Sequence, residues 1–248
     1  MEQWRGKIAV VTGSSAGIGA TIAIQLTNAG MIVVGLARRT ERTEALKKQV
    51  ASSVRNNLHA ARCDVSNENE IVSIFKWVED TFGGVDVLIN NAGIVRDTKL
   101  IAPNNTQSIR DTWETNVMGL VLCSREAYQS MKRRSVAGHI ININSIVGHS
   151  IPYSVEAILS SYNMYAPSKH AVTAITEVTR QELLGEKSKV KITSISPGAV
   201  KTEIVDFSNV ELPLLNPEDI GQAVLYALST ASHVQVHELI IKPVGERF

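Results

Sequence analysis

Ile8-Ala9-Val10-Val11-Thr12-Gly13-Ser14-Ser15-Ala16-Gly17-Ile18-Gly19 reads as a short buried strand running into a glycine-rich turn, and the apolar periodic stretch that follows through Leu26 reads as a helix. Such a turn lets backbone N–H groups approach a pyrophosphate at the positive end of the helix. The spacing is Gly-x-x-x-Gly-x-Gly rather than the Gly-x-Gly-x-x-Gly of the dinucleotide fingerprint. The Gly-Lys-Ser/Thr of a phosphate loop is absent, which argues against an NTPase. By itself the turn also suits an ordinary tight connection.

Working outward, strand-like runs recur at Ile32 to Leu36, Leu58 to Arg62, Val87 to Asn90, His139 to Asn144, Val190 to Ile195 and Leu239 to Lys242. Helical patterns fall between them, near Ile18 to Asn28, Glu41 to Ser53, Glu68 to Phe82, Ser108 to Arg133, Tyr165 to Leu184 and Pro217 to Ser229. The alternation predicts an α/β, Rossmann-type doubly wound fold, with a seven-stranded, mostly parallel sheet covered by helices on both faces. Ligands of such sheets bind beyond the carboxyl ends of the strands. The polar motifs sit at those ends: the glycine turn after strand one, Arg38-Arg39 after two, Asp64 after three, Asn91 after four, Ser145 after five and Pro197-Gly198 after six.

All 248 residues are expected to form one domain, since no linker or composition break divides them. The formal charge of +1, with both signs interspersed, gives no reason to expect nucleic acid or a membrane surface as partner. The N-terminal Met1-Glu2-Gln3-Trp4-Arg5-Gly6-Lys7 lacks the apolar core of a signal peptide, so a cytoplasmic location is expected. Cys63 and Cys123 are then reduced thiols. The six histidines show no metal-ligand spacing, and no metal site is expected.

Tyr165 and Lys169 stand four residues apart in Tyr165-Ala166-Pro167-Ser168-Lys169. On a helix they share a face, so a phenol and an ammonium can meet. An unperturbed phenol titrates near ~10, and an adjacent positive charge favours the phenolate. Pro167 is tolerated only in a first turn, so the helix must begin close to Tyr165. Tyr162 has Ala166 at the corresponding position and is excluded.

Taken in order, Thr12-Gly13-x-x-x-Gly17-x-Gly19, Asp64-Val65, Asn90-Asn91-Ala92-Gly93, Asn116, Ser145, Tyr165-x-x-x-Lys169 and Pro197-Gly198 resemble the short-chain dehydrogenase/reductase family over nearly the whole chain. The resemblance implies an oxidoreductase that moves hydride between a nicotinamide and an alcohol or carbonyl. It assigns the proton to Tyr165, electrostatic support and the nicotinamide ribose to Lys169, a hydrogen bond at the substrate oxygen to Ser145 and the anchoring of a relay water to Asn116. Gly13, Ser15, Gly17, Ile18 and Gly19 would face the pyrophosphate. Asp64 and Val65 would cradle the adenine, with Asn91, Ala92 and Gly93 beside it, and Pro197, Gly198, Val200 and Thr202 would fix the carboxamide. Ala37 stands where NAD-specific members carry Asp, and Arg38 and Arg39 suit the 2′-phosphate of NADP. Oligomers of the family are dimers or tetramers joined through the fourth and fifth helices, so a homodimer or homotetramer is expected, and the apolar content of Val117 to Ala127 allows one.

One departure concerns spacing. The family's serine usually lies closer to its tyrosine than Ser145 lies to Tyr165, and the extra residues fall between Gly148 and Ser161, which makes Ser160 and Ser161 rivals. Ser145 closes a strand-like run and is preferred. Within the family, Val34-Gly35-Leu36-Ala37-Arg38-Arg39, His139-Ile140-Ile141-Asn142-Ile143-Asn144-Ser145 and His237-Glu238-Leu239-Ile240-Ile241-Lys242-Pro243 are similar to insect-type farnesol dehydrogenases and to cytosolic carbonyl and hydroxysteroid reductases. The implied substrate is an apolar alcohol such as farnesol or another isoprenoid, with a carbonyl or steroid as the alternative. Ile146, Val147, Ile151, Ala199, Ile204, Val205 and Phe207 are candidates for an apolar cleft, or equally for loop residues packed on the sheet. A reading of a different class is an NADP-binding sensor or interaction module without turnover; an intact Ser145, Tyr165 and Lys169 speaks against it.

Overall fold

The seven apolar runs pair into one sheet. In the computed structural model, which describes residues 1–151, 163–204 and 212–246, they are β1 (Ile8–Thr12), β2 (Ile32–Ala37), β3 (Leu58–Arg62), β4 (Val87–Asn90), β5 (His139–Ile143), β6 (Lys191–Pro197) and β7 (Glu238–Ile241). Their order is β3-β2-β1-β4-β5-β6-β7, and every adjacent pair is parallel, so the sheet is wholly rather than mostly parallel. Strand order reverses between β1 and β4, which opens a crevice above their carboxyl ends. β1 is buried at all five positions because helices cover both faces.

The helices are α1 (Gly17–Asn28), α2 (Thr40–Ala45), α3 (Glu68–Phe82), α4 (Thr106–Trp113), α5 (Gly119–Arg133), α6 (Tyr165–Gly185) and α7 (Pro217–Ser229). One core packs Ile22 and Leu26 of α1 and Val224 and Leu228 of α7 against Val11, Ile89 and Ile195. The opposite core packs Ile71 and Phe75 of α3 and Cys123, Ala127 and Met131 of α5 against Val10, Leu88 and Ile140. α6 starts at Tyr165, with Pro167 in its first turn as its ring requires.

Two expected helices differ. The one expected over 41–53 ends at Ala45; a 3-10 turn covers Leu46–Gln49, and Val50 is extended. Leu46 and Val50 are drawn into the α1-side core, and the Ala51 amide donates to Asn28 Oδ1 at 3.0 Å, which takes the chain off the helical path. The long helix expected over 108–133 is interrupted by a wider π-turn, Glu114–Met118, that joins α4 to α5 and buries Asn116.

A polar row crosses the carboxyl half of the sheet. Asn90, Asn142, Ser194 and Glu238 are register partners on β4, β5, β6 and β7. Asn90 Nδ2 donates to Asn142 Oδ1 at 2.9 Å and to Ser124 Oγ at 2.8 Å, while Asn142 Nδ2 donates to Thr176 Oγ1 at 2.9 Å. The row therefore ties β4 and β5 to α5 and α6 beneath the crevice.

At the other end of β5, His139 is fully buried, with Nε2 2.9 Å from Thr193 Oγ1 and Nδ1 without a partner. Burial, and then the Lys191 charge, push its pKa down to about 3. The unfolded histidine titrates near ~6.5, so below that pH the unfolded chain binds a proton that the native state refuses. Stability falls as pH falls through this window, at about 1.4 kcal/mol per pH unit for this one group. Urea unfolding at pH near ~6.5 and near ~4.5 should show a steeper loss in wild type than in His139→Gln; equal slopes would remove His139 as the cause.

Candidate active site

The ends of β1 and β4 are stitched across the crevice by two side chains. Thr12 Oγ1 accepts from the amides of Asn91 and Ala92, both at 3.0 Å, and Asn91 Nδ2 donates to the carbonyls of Thr12 and Gly13 at 2.9 and 3.2 Å. Gly13 and Gly17 hold left-handed φ values of 68° and 55°. A Cβ on Gly13 would lie 2.8 Å from Ala92 Cα, and one on Gly19 would strike Asn91 Nδ2 and the Gly13 carbonyl. The departure from the usual glycine spacing thus has a local cause: Gly13 and Gly19 make room for the Asn91 stitch. α1 opens without a side-chain cap, so its first amides remain available to an anion.

Over this floor lies a cavity of about 430 Å³. At one end it is lined by Arg38, Arg39, Cys63, Asp64 and Val65. Arg38 Nη1 lies 3.9 Å from Asp64 Oδ2. Burial alone would raise the Asp64 pKa, but hydrogen bonds from the Ser66 hydroxyl and amide, with the Arg38 and Arg62 charges, bring it below the usual carboxylate range. Glu203, also on the wall, pairs with Arg42 Nη1 at 3.1 Å. Gly13, Ser15, Gly17, Ile18, Asn91, Ala92 and Gly93 line the middle.

At the far end stand Tyr165 and Lys169. Lys169 is buried, and its Nζ donates to the Ile143 carbonyl at 2.8 Å and lies 5.7 Å from the Tyr165 ring centroid. Desolvation lowers its pKa to about 8. Ser145 is buried at the head of a 3-10 turn, Ile146–Gly148, where its Oγ accepts from the Val147 amide at 3.3 Å. The Asn116 amide is fully engaged: Oδ1 accepts from the Ile94 amide at 2.8 Å, and Nδ2 donates to the Ile94 carbonyl at 3.0 Å and to Ser168 Oγ at 3.1 Å. Ser168 Oγ in turn donates to the Tyr165 carbonyl at 2.6 Å, so the π-turn braces the start of α6.

One cavity therefore gathers fourteen of the expected site residues: Gly13, Ser15, Gly17, Ile18, Arg38, Arg39, Asp64, Val65, Asn91, Ala92, Gly93, Tyr165, Lys169 and Thr202. Gly19, Asn116, Ser145, Pro197, Gly198 and Val200 stand outside its lining. Pro197 closes β6, the Gly198 amide bonds to the Ile241 carbonyl at 2.7 Å, and Val200 is buried in the α1-side core. Of the apolar candidates among the described residues, only Ile204 lines the cavity; Val147 is buried and Ile151 is exposed to solvent. Ser160, Ser161, Tyr162, Val205 and Phe207 lie outside the described residues. The sequence reading missed Asn144, Thr115, Ile94 and Glu203 on the wall. Only Asn144 carried a signal, as the polar residue just before Ser145 at the end of a strand.

The family described as short chain dehydrogenase matches residues 7–212. The chain belongs to the short-chain dehydrogenase family. It is 58% identical to the farnesol dehydrogenase of Aedes aegypti over the full length of both chains. Among solved structures it resembles the closed form of a serine dehydrogenase complexed with NADP+, with 30% identity, a TM-score of 0.84, and 97% of this chain and 96% of that one covered. It also resembles an alcohol dehydrogenase of Thermococcus sibiricus complexed with 5-hydroxy-NADP, with 25% identity, a TM-score of 0.83, and 97% and 98% covered. As a short-chain dehydrogenase the protein is an oxidoreductase of the alcohol dehydrogenase type using a nicotinamide cofactor. Its cavity fits that group: the uncapped start of α1 suits a pyrophosphate, and Thr202 Oγ1 and Asn144 Oδ1 are buried on the wall without a partner.

Thr12 tests the floor of this site. Thr12→Val keeps the shape but leaves two amides without their acceptor, and an unsatisfied buried donor costs about 1–3 kcal/mol. Thermal unfolding should show the variant destabilised and calorimetry should show weaker cofactor binding; wild-type values in both would mean that the stitch is dispensable.

Proposed function

We propose that this chain is an NADP-dependent alcohol dehydrogenase that oxidises an apolar alcohol, farnesol or another isoprenoid, to its aldehyde. The observation that carries the reading is the buried Lys169 beside Tyr165 at one end of a cavity whose other end is edged by Arg38 and Arg39. The identity with the Aedes aegypti protein supports the substrate, and the NADP-bound relatives support the cofactor.

NADP, when bound, supplies the hydride acceptor. The chain supplies the rest. Oxidation of an alcohol requires its hydroxyl proton to leave, and Tyr165 takes it. Lys169, with a pKa of about 8, is mostly cationic at neutral pH, and its charge favours the phenolate. Its bond to the Ile143 carbonyl fixes where that charge sits. Ser145 contributes a hydroxyl to the substrate oxygen from the end of β5. Asn116 serves through its backbone and through Ser168, its amide being committed, and a relay water anchored there uses the main chain. Thr202 and Asn144 offer polar atoms to the nicotinamide end. At the far end the guanidiniums of Arg38 and Arg39 match a dianionic 2′-phosphate.

Two measurements follow. Tyr165→Phe, assayed with farnesol and a panel of isoprenoid, steroid and small alcohols, should lose about 10²- to 10⁴-fold in turnover, the usual contribution of general acid–base catalysis, while still binding NADPH. A mutant at the wild-type rate would end the assignment. Arg38→Ala combined with Arg39→Ala should weaken NADPH much more than NADH, because hydrogen bonds to charged groups are worth about 1.5–3 kcal/mol each. Equal losses in fluorescence titrations would mean that neither arginine reads the 2′-phosphate.

A further inference from the structure

The turn that carries Ser145 is held from two sides, and only one side belongs to the helix of Tyr165 and Lys169. Immediately after Ser145 the chain forms the 3-10 turn Ile146–Gly148 and ends it on His149, with the Gly148 amide bonded to the Ser145 carbonyl and the His149 amide to the Ile146 carbonyl, both at 3.0 Å. On the α6 side, Thr173 Oγ1 donates to the Gly148 carbonyl at 2.9 Å and accepts from Asn144 Nδ2 at 2.9 Å. The packing there is so close that a Cβ on Gly148 would lie 2.7 Å from the Lys169 carbonyl.

On the other side the turn is held by one carboxylate oxygen. His149 Nε2 lies 2.7 Å from Glu238 Oε1 and 3.2 Å from Ser196 Oγ. The same Glu238 oxygen accepts from Ser196 Oγ at 2.6 Å and from Ser194 Oγ at 3.2 Å. Glu238 is the β7 member of the polar row and the register partner of Ser194. The His149 and Glu238 side chains are 27% and 30% exposed, so water competes for the pair only in part. An imidazole carrying a proton on Nε2 donates to the carboxylate whether neutral or cationic, so the contact does not depend on the charge of the ring.

We propose that His149 is a positioning residue for Ser145: through Glu238 it pins the far end of the Ser145 turn to the sheet and so fixes the serine hydroxyl where the substrate oxygen needs it. The proposal rests on the assignment of Ser145 to the substrate oxygen. Its physical basis is that a hydrogen bond in catalysis tolerates little misplacement, and a hydroxyl at the head of a one-turn segment is held only as firmly as that segment. Thr173 and α6 fix Gly148; His149 and the edge strand β7 fix the residue after it. With one tie cut, the turn can pivot on the other.

The test is a kinetic double-mutant cycle in the full-length enzyme at saturating NADP, using the alcohol that wild type turns over fastest in the panel described above. Ser145→Ala, His149→Ala and the double variant are compared for kcat, KM and NADPH affinity. His149→Ala should lower kcat by about tenfold, a coupling of the size seen between residues that act together, and leave NADPH affinity unchanged. The same change in the Ser145→Ala background should cost almost nothing, because the hydroxyl it positions is already gone. His149→Gln, whose amide can still donate to Glu238, should recover much of kcat. An undiminished His149→Ala enzyme, or an equal loss in both backgrounds, overturns the proposal while leaving Ser145 in place. A Ser145→Ala enzyme at the wild-type rate instead removes the Ser145 assignment itself. If His149→Ala does not fold, Glu238→Ala, which removes the oxygen that His149 Nε2 contacts, carries the same cycle with the same two outcomes.

Discussion

A buried ammonium organises this protein. Lys169 lies within the fold on the wall of the cavity, where the cost of desolvating a cation is high and is met here by the Ile143 carbonyl at the end of β5. For that bond to form, α6 must lie tightly against β5, and Gly148 is the residue that permits the approach. The helix must also begin at Tyr165, which Pro167 and the Ser168 bond to the Tyr165 carbonyl secure. The charge, the phenol and the carboxyl end of the sheet are thereby brought to one place.

The sheet beneath is built to hold that place still. Its strands are almost continuously apolar, yet one register row across β4 to β7, Asn90, Asn142, Ser194 and Glu238, is polar. These groups bond to one another and to α5 and α6, which leaves Asn90 Oδ1 as the one atom of the Asn90–Asn142 pair buried without a partner. Over β1 and β4 the Thr12 and Asn91 stitch does the same for the glycine turn. The cavity is thus framed by hydrogen bonds between elements distant in sequence, and its two ends differ in character. Guanidiniums gather at one; a single buried ammonium and a phenol stand at the other.

How much of this was legible depended on range along the chain. The strands could be read because apolar runs are local, and the pairing of Tyr165 with Lys169 could be read because four residues make one helical turn. The early end of α2 could not, since Leu46 and Val50 follow the core and Asn28 captures the Ala51 amide from another element. The π-turn that buries Asn116 likewise answers to Ile94 and Ser168, which are remote in sequence. Arg42 with Glu203, and His149 with Glu238, join residues more than eighty positions apart; each sits in an unremarkable local sequence and gains meaning only when the strands are ordered.

The state of Lys169 is the most direct test of this account. Selective labelling of lysine side chains in the cofactor-free protein, with the Lys169 resonance assigned by its loss in Lys169→Met, allows its ammonium to be titrated by NMR. The account predicts a midpoint at about 8, displaced by burial. A midpoint near the ordinary lysine value of ~10.4 would show a solvated amine, and the buried charge on which the proposed chemistry turns would not exist.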